Sequence, residues 1–169
     1  MPFSLKKQPS KVAHLNVREE KHGEEPVLAV DIKVTADVSN DFLEQLEPGL
    51  LAALYQKEGS KTGETADIET GRLASLRFPR ISPFAWEEEM VGAKVVLHGS
   101  TKAGNMDLEG DVNSIKLACK EGGTVELTYR VQVLPTAEES GQLASFLGKS
   151  VKVSVAPAPL ADMPPASTE

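Results

Sequence analysis

Ten consecutive residues, Thr124 to Val133, alternate without an error: Val125, Leu127, Tyr129, Val131 and Val133 are apolar, and Thr124, Glu126, Thr128, Arg130 and Gln132 are polar. A period of two over this length specifies a strand with one buried and one solvated face, and a slip of one residue would turn every side chain to the wrong side. The strand before it, Met106 to Cys119, obeys the same rule with one break. Met106, Leu108 and Val112 share one parity, Ile115, Leu117 and Cys119 the other. A phase change near Asn113-Ser114 is what one inserted residue, a β-bulge, does to a long strand. Glu121-Gly122-Gly123 supplies the turn between the two, so they are expected to form an antiparallel hairpin.

The rest of the chain reads in the same way. Ala13, Leu15 and Val17 are placed on one face of a strand and His14, Asn16 and Arg18 on the other. A charged loop, Glu19 to Pro26, leads to a partner strand with Leu28, Val30, Ile32 and Val34 inward. Ala93, Val95 and Leu97 alternate with Lys94, Val96 and His98, a Gly104-Asn105 turn follows, and Val151, Val153 and Val155 form a last strand. Ser39-Asn40-Asp41 starts a helix, with Asp41 and Glu44 at capping-box spacing. Pro48 makes this either two short helices or one helix kinked at Glu47-Pro48. Thr136 and Glu139 form a second capping box ahead of Leu143, Phe146 and Leu147, and Gly148 closes that helix. Residues 56–71 are glycine-rich and polar, and read as a long loop with one helical turn near Asp67. About six strands and two or three short helices, without strand–helix crossovers, predict an α+β fold. It is mainly an antiparallel β-sheet (curled sheet, small barrel or sandwich) with the helices at its ends. Residues 1–10 read as an extended lead-in, 11–155 as a single domain and 156–169 as a disordered proline-rich tail.

Composition narrows the function. No apolar run approaches the roughly 20 residues a membrane helix needs. None opens the chain as a signal peptide would, so a soluble, cytoplasmic domain without a membrane partner is expected. The one cysteine, Cys119, has no internal partner for a disulfide. Three histidines far apart in sequence predict no metal site, and Cys119 falls on an apolar parity. There is no phosphate loop, G-x-S-x-G elbow or H-E-x-x-H motif, and the acidic pairs lie in loops or at a helix cap. A protein without catalytic residues or cofactors is therefore expected. A net charge of -7 argues against coating nucleic acid by charge alone.

One stretch stands apart. Leu73 to Trp86, LASLRFPRISPFAW, holds three of the eight aromatic residues and no acid. Arginines interleaved with rings suit single-stranded DNA, with guanidinium groups on phosphates and rings under bases. The competing account is packing: in a chain with 5% aromatics, Phe78, Ile81, Phe84 and Trp86 are needed to plug one end of the sheet. If the chain contacts nucleic acid, the residues expected to do so are Arg77, Phe78, Arg80, Phe84 and Trp86. Lys94, Lys102, Lys116, Lys120 and Arg130 would add positive charge to a nearby sheet face.

NVREEKHGEEPVLAVDIKV, SNDFLEQLEPGLLAALY, LRFPRISPFAW and KEGGTVELTYRVQV together resemble a family of small proteins encoded by tailed bacteriophages and prophages, over about Lys11 to Val155. Such proteins are often encoded near recombination or replication genes. The resemblance implies a non-enzymatic accessory in the host-cell cytoplasm that binds single-stranded DNA or a recombination protein. Two alternatives stand beside it: an acidic module inhibiting a host defence complex, by DNA mimicry or otherwise, and a virion component. An exposed edge, Val151–Val155 or Ala13–Val17, would be free to pair with a second copy.

Overall fold

The computed structural model describes residues 2–58, 72–99 and 104–159. In chain order the strands are β1 (Leu5–His22), β2 (Glu25–Ser39), β3 (Tyr55–Lys57), β4 (Leu73–Leu76), β5 (Phe84–Trp86), β6 (Met90–His98), β7 (Met106–Cys119), β8 (Thr124–Val133) and β9 (Ser150–Ala156). The helices are α1 (Leu43–Leu46), α2 (Leu50–Leu54) and α3 (Ala137–Ala144), with a 3-10 turn over Asn40–Phe42 before α1. Six strands pair in the order β7-β6-β9-β1-β2-β8, and β8 returns to β7 to close an antiparallel barrel. The fold is therefore an α+β small barrel. β5 continues the β6 edge by pairing with Ile115–Leu117 of β7, and β3 with β4 forms a separate two-stranded sheet.

Closure depends on a close approach at Gly110. A β-carbon there would lie 2.3 Å from the Gln132 carbonyl oxygen and 2.7 Å from Val133 Cγ1, so only glycine lets β7 cross β8 at this point. Inward parities from every wall meet in one core, including Val12, Val34, Leu97, Leu117, Leu127 and Val153, all 0% exposed. Phe3 packs edge-on against Phe42 and Tyr129, at centroid distances of 5.1 and 6.0 Å. Ser39 lies opposite Thr124 and Val30 opposite Val133, so α1 and α3 leave the β2–β8 ladder at opposite ends. Each plugs its end with leucine: Leu43 and Leu46 from α1, Leu143 from α3.

The bulge expected near Asn113-Ser114 is present. The β7–β8 register shifts between Asn113 and Lys116, and Ser114 has φ +54. The Thr136–Glu139 capping box also forms, and the first helical segment is split at Pro48. Several expectations need correction. Glu44 does not reach back to Asp41: its carboxylate accepts from the Gly49 and Leu51 amides, capping α2, while Ser39 Oγ accepts from the Asp41 amide. Ala13 is exposed, because a bulge between Val12 and His14 gives the core position to Val12; Val17 keeps the inward parity, opposite buried Val30, but is exposed where β1 runs beyond its pairing with β9. The Glu19–Pro26 loop is strand almost throughout, closed by a tight turn at Gly23-Glu24. Of the lead-in expected over residues 1–10, Leu5 and Gln8 to Ser10 pair with β9, and Phe3 is 1% exposed. Val151–Val155 is no edge, since β9 sits between β1 and β6. The helical turn expected near Asp67, Lys102 and residues 160–169 of the expected tail lie outside the described residues. No helix among the described residues is long and apolar enough to cross a membrane.

Candidate functional site

Register decides which outward side chains become neighbours, because residues paired across a ladder project from the same face. On the outer wall of β1, β2, β8 and β7, one row runs His14, Lys33, Arg130, Asn113. The adjacent row runs Lys11, Thr35, Thr128, Lys116. Strands stand about 4.8 Å apart and same-face rows about 7 Å apart, so this belt is roughly 14 Å wide and two rows deep. It holds four cations and a histidine, and no acid. The next row on one side is Asn16, Asp31, Gln132, Asp111, and on the other Asp37, Glu126, Ala118.

The first flanking row is a fixed network. Arg18 Nε and Nη2 each donate to Asp31 at 3.1 Å, and Gln132 Nε2 donates to Asp31 at 3.2 Å. Asn113 Nδ2 donates to Gln132 at 2.8 Å, and Arg130 Nε to Asn113 Oδ1 at 3.0 Å. Glu20 accepts from Arg18 and meets His22. The hydrogen bonds from Arg18, joined by those from Gln132 and Asn16, hold the Asp31 carboxyl below the ordinary carboxylate range despite burial. Arg130 is thus oriented through Nε alone. Lys11, Lys33 and Lys116 make no ion pair or side-chain hydrogen bond among the described residues. Three cations elsewhere are held: Lys94 Nζ lies 2.9 Å from Glu109, Lys120 Nζ 3.9 Å from Asp37, and Arg77 Nε donates to the Ala52 carbonyl at 2.7 Å.

The belt deepens into two adjoining grooves. One, ≈ 530 Å³, is lined by Lys33, Ser114, Lys116 and Arg130, together with the acids Asp31 and Glu126. The other, ≈ 600 Å³, is lined by Trp86, Glu87 to Glu89, Asn113, Ser114, Lys116 and Arg130. Ser114, Lys116 and Arg130 belong to both, so the two meet at the bulge. A non-glycine residue at positive φ costs of order 1–3 kcal/mol, a strain that tends to gather at functional positions.

The five residues singled out from sequence separate into two groups. Trp86 and Phe84 sit on β5, half-buried against the core, and Trp86 lines the groove beside Lys116 and Arg130. Phe78 and Arg80 project from the turn after β4, Phe78 being 58% exposed. Arg77 is committed to the end of α2: its guanidinium takes the Ala52 carbonyl and its amide the Leu54 carbonyl. Packing and exposure both hold within this one segment. Lys116 and Arg130 were legible as outward-facing cations, whereas Lys11, His14 and Lys33 carried no signal beyond their parity.

Other candidate chemistry disperses. No group of three or more His, Cys, Asp or Glu residues among the described residues stands close enough to hold a metal ion. His22 meets Glu20, and His98 Nε2 lies 2.7 Å from Ser154 Oγ. Burial pushes the Cys119 thiol up, away from the thiolate a nucleophile needs. No family model, curated protein or solved structure matches the chain.

Proposed function

We propose that the protein binds single-stranded nucleic acid across the outer wall of β1, β2, β8 and β7. The observation that carries this is the uncompensated belt: Lys11, Lys33, Lys116 and Arg130 gather on one wall of a chain whose net charge is -7. Phosphates are met by Lys33, Lys116 and Arg130, and a base by the half-buried ring of Trp86 at the same groove. A base must be free of its own stack to lie against a side chain, which favours a single strand over a duplex. Phe78 and Arg80 extend the path, and Arg77 serves the fold. The resemblance to tailed-phage proteins supports an accessory place in replication or recombination, without chemistry of its own. Defence inhibition by DNA mimicry fits less well, because the acids stand on separate elements: Glu24-Glu25 at a turn, Glu87 to Glu89 after β5, Glu138-Glu139 on α3.

The test is anisotropy of labelled oligo(dT) at two salt concentrations, with the fluorescence of Trp86, the one tryptophan of the chain, read in parallel. Binding should weaken steeply with salt and quench Trp86. Lys116→Ala/Arg130→Ala should lower the salt slope by about 2, one for each phosphate left without its cation. Lys94→Ala, on another wall, should leave it unchanged. Flat traces at both salts, or equal effects of the two variants, would remove the reading.

A further inference from the structure

The β1–β2 hairpin runs past the barrel. β2 is paired with β8 only from Val30 to Ser39, and β1 with β9 only from Leu5 to Lys11. Beyond these points, among the described residues, the two strands pair only with each other, so His14–His22 and Glu25–Ala29 form a ribbon with open edges. Six rows run along the outer face of β1 and β2: Lys11/Thr35, His14/Lys33 and Asn16/Asp31 on the barrel wall, continued by Arg18/Ala29, Glu20/Val27 and His22/Glu25 on the ribbon. The root of this face is basic and its tip acidic, with Glu24 in the turn. Glu24 and Glu25 have no ion-pair partner among the described residues, and neither do Lys11 and Lys33.

From this polarity we infer that the outer face of β1 and β2 is a docking surface for a second copy of the same chain. A two-fold axis between the third and fourth rows superposes each row on its complement. Lys11 meets the tip acids Glu24 and Glu25 and Lys33 meets Glu20, while each copy keeps its own Arg18–Asp31 pair at the centre. Self-complementarity about a two-fold axis is what an isologous dimer requires. This face is roughly 33 Å long, from five row spacings of about 6.7 Å, and about 10 Å wide. That offers on the order of 330 Å² per copy, below the roughly 800 Å² per partner of a stable interface. The dimer is therefore weak and salt-sensitive. It does not rest on nucleic-acid binding. It does place Lys11 and Lys33 in both interfaces, so an oligonucleotide bound to the belt displaces the second copy.

Sedimentation equilibrium up to about 1 mM protein, at low and high salt, tests this. The wild-type chain should dimerise at low salt and lose at least about tenfold in affinity at high salt. Glu24→Lys/Glu25→Lys changes an exposed turn and should abolish the dimer. Lys11→Glu/Lys33→Glu, the reverse change at the root, should abolish it too. Mixed in equal amounts, the two variants should form a heterodimer, because each reversed end then meets its opposite. A monomer at low salt up to 1 mM, a dimer indifferent to the tip reversal, or a mixture that stays monomeric overturns the inference. Oligo(dT) binding by the tip variant is measured separately. Its retention with dimerisation lost separates this surface from the belt's proposed function, whereas a wild-type chain that stays monomeric yet binds oligo(dT) overturns the dimer alone.

Discussion

Two outer walls of the same barrel carry charge in opposite ways. On the wall of β7, β6 and β9, Lys94 stands opposite Glu109 and closes an ion pair at 2.9 Å. Each wall sets one histidine opposite a lysine, His98 with Lys152 and His14 with Lys33, but only across β2 and β8 do two full cations, Lys33 and Arg130, stand opposite each other. Both walls obey the same period-two rule and rest on one core. They differ only in which residue the register places across the ladder. Like charges directly opposite on neighbouring strands are destabilising, so the second wall keeps a cost that the first has removed. In the proposed function, a bound phosphate backbone relieves that cost.

The comparison breaks first if the shared scaffold breaks. Leu117→Ala removes a fully buried side chain from β7 where it pairs with both β5 and β8. It should cost about 2–5 kcal/mol in denaturant unfolding and degrade both walls together. If only the belt side responded in hydrogen exchange, the walls would not share one cooperative core.

The next largest effect falls on the network that frames the belt. Asp31→Asn keeps the shape but removes the charge that gathers Arg18, Gln132 and Asn16, and should cost about 1–2 kcal/mol near neutral pH. The folded carboxyl titrates below its unfolded value of about 3.9. Its contribution is therefore complete above that value and disappears as pH falls through the lower folded one. Urea midpoints of wild type and variant should differ at pH 7 and converge as the medium is acidified below about pH 4. Equal differences at both pH values would mean that Asp31 acts by shape alone.

Smaller effects sharpen the contrast. Tyr129, beneath the belt row, has a hydroxyl with no hydrogen-bond partner among the described residues, and burial pushes its pKa up. Tyr129→Phe should leave stability unchanged or raise it by up to about 1 kcal/mol, since a buried unsatisfied group costs free energy. A clear loss in thermal unfolding would show that the hydroxyl has a partner in solution. Lys94→Gln, which breaks an exposed ion pair, should change stability by no more than about 0.5 kcal/mol. A larger loss would mean that charge pairing supports the compensated wall more than its exposure suggests.

Much of this architecture was present in the local pattern. The alternation of Val125 to Val133, the phase change at Ser114, the capping box at Thr136 and the break at Pro48 each follow from a residue's own geometry or from a neighbour within four positions. The chain's own order therefore determined the β7–β8 hairpin with its faces and bulge, the start of α3 and the break before α2, and with them an antiparallel α+β fold. Closure and register were decided elsewhere. The placement of Val12 rather than Ala13 in the core, the pairing of β9 inside the wall, and the gathering of Lys11, Lys33, Lys116 and Arg130 all depend on contacts between residues far apart in sequence. Such contacts are selected by how a whole face buries its apolar side chains, and a single strand carries no record of its partner's register. The aromatic stretch shows the same division. Its composition marked Phe78, Arg80 and Trp86, but only the fold bound Arg77 to the end of α2 and set Trp86 beside two cations from other strands.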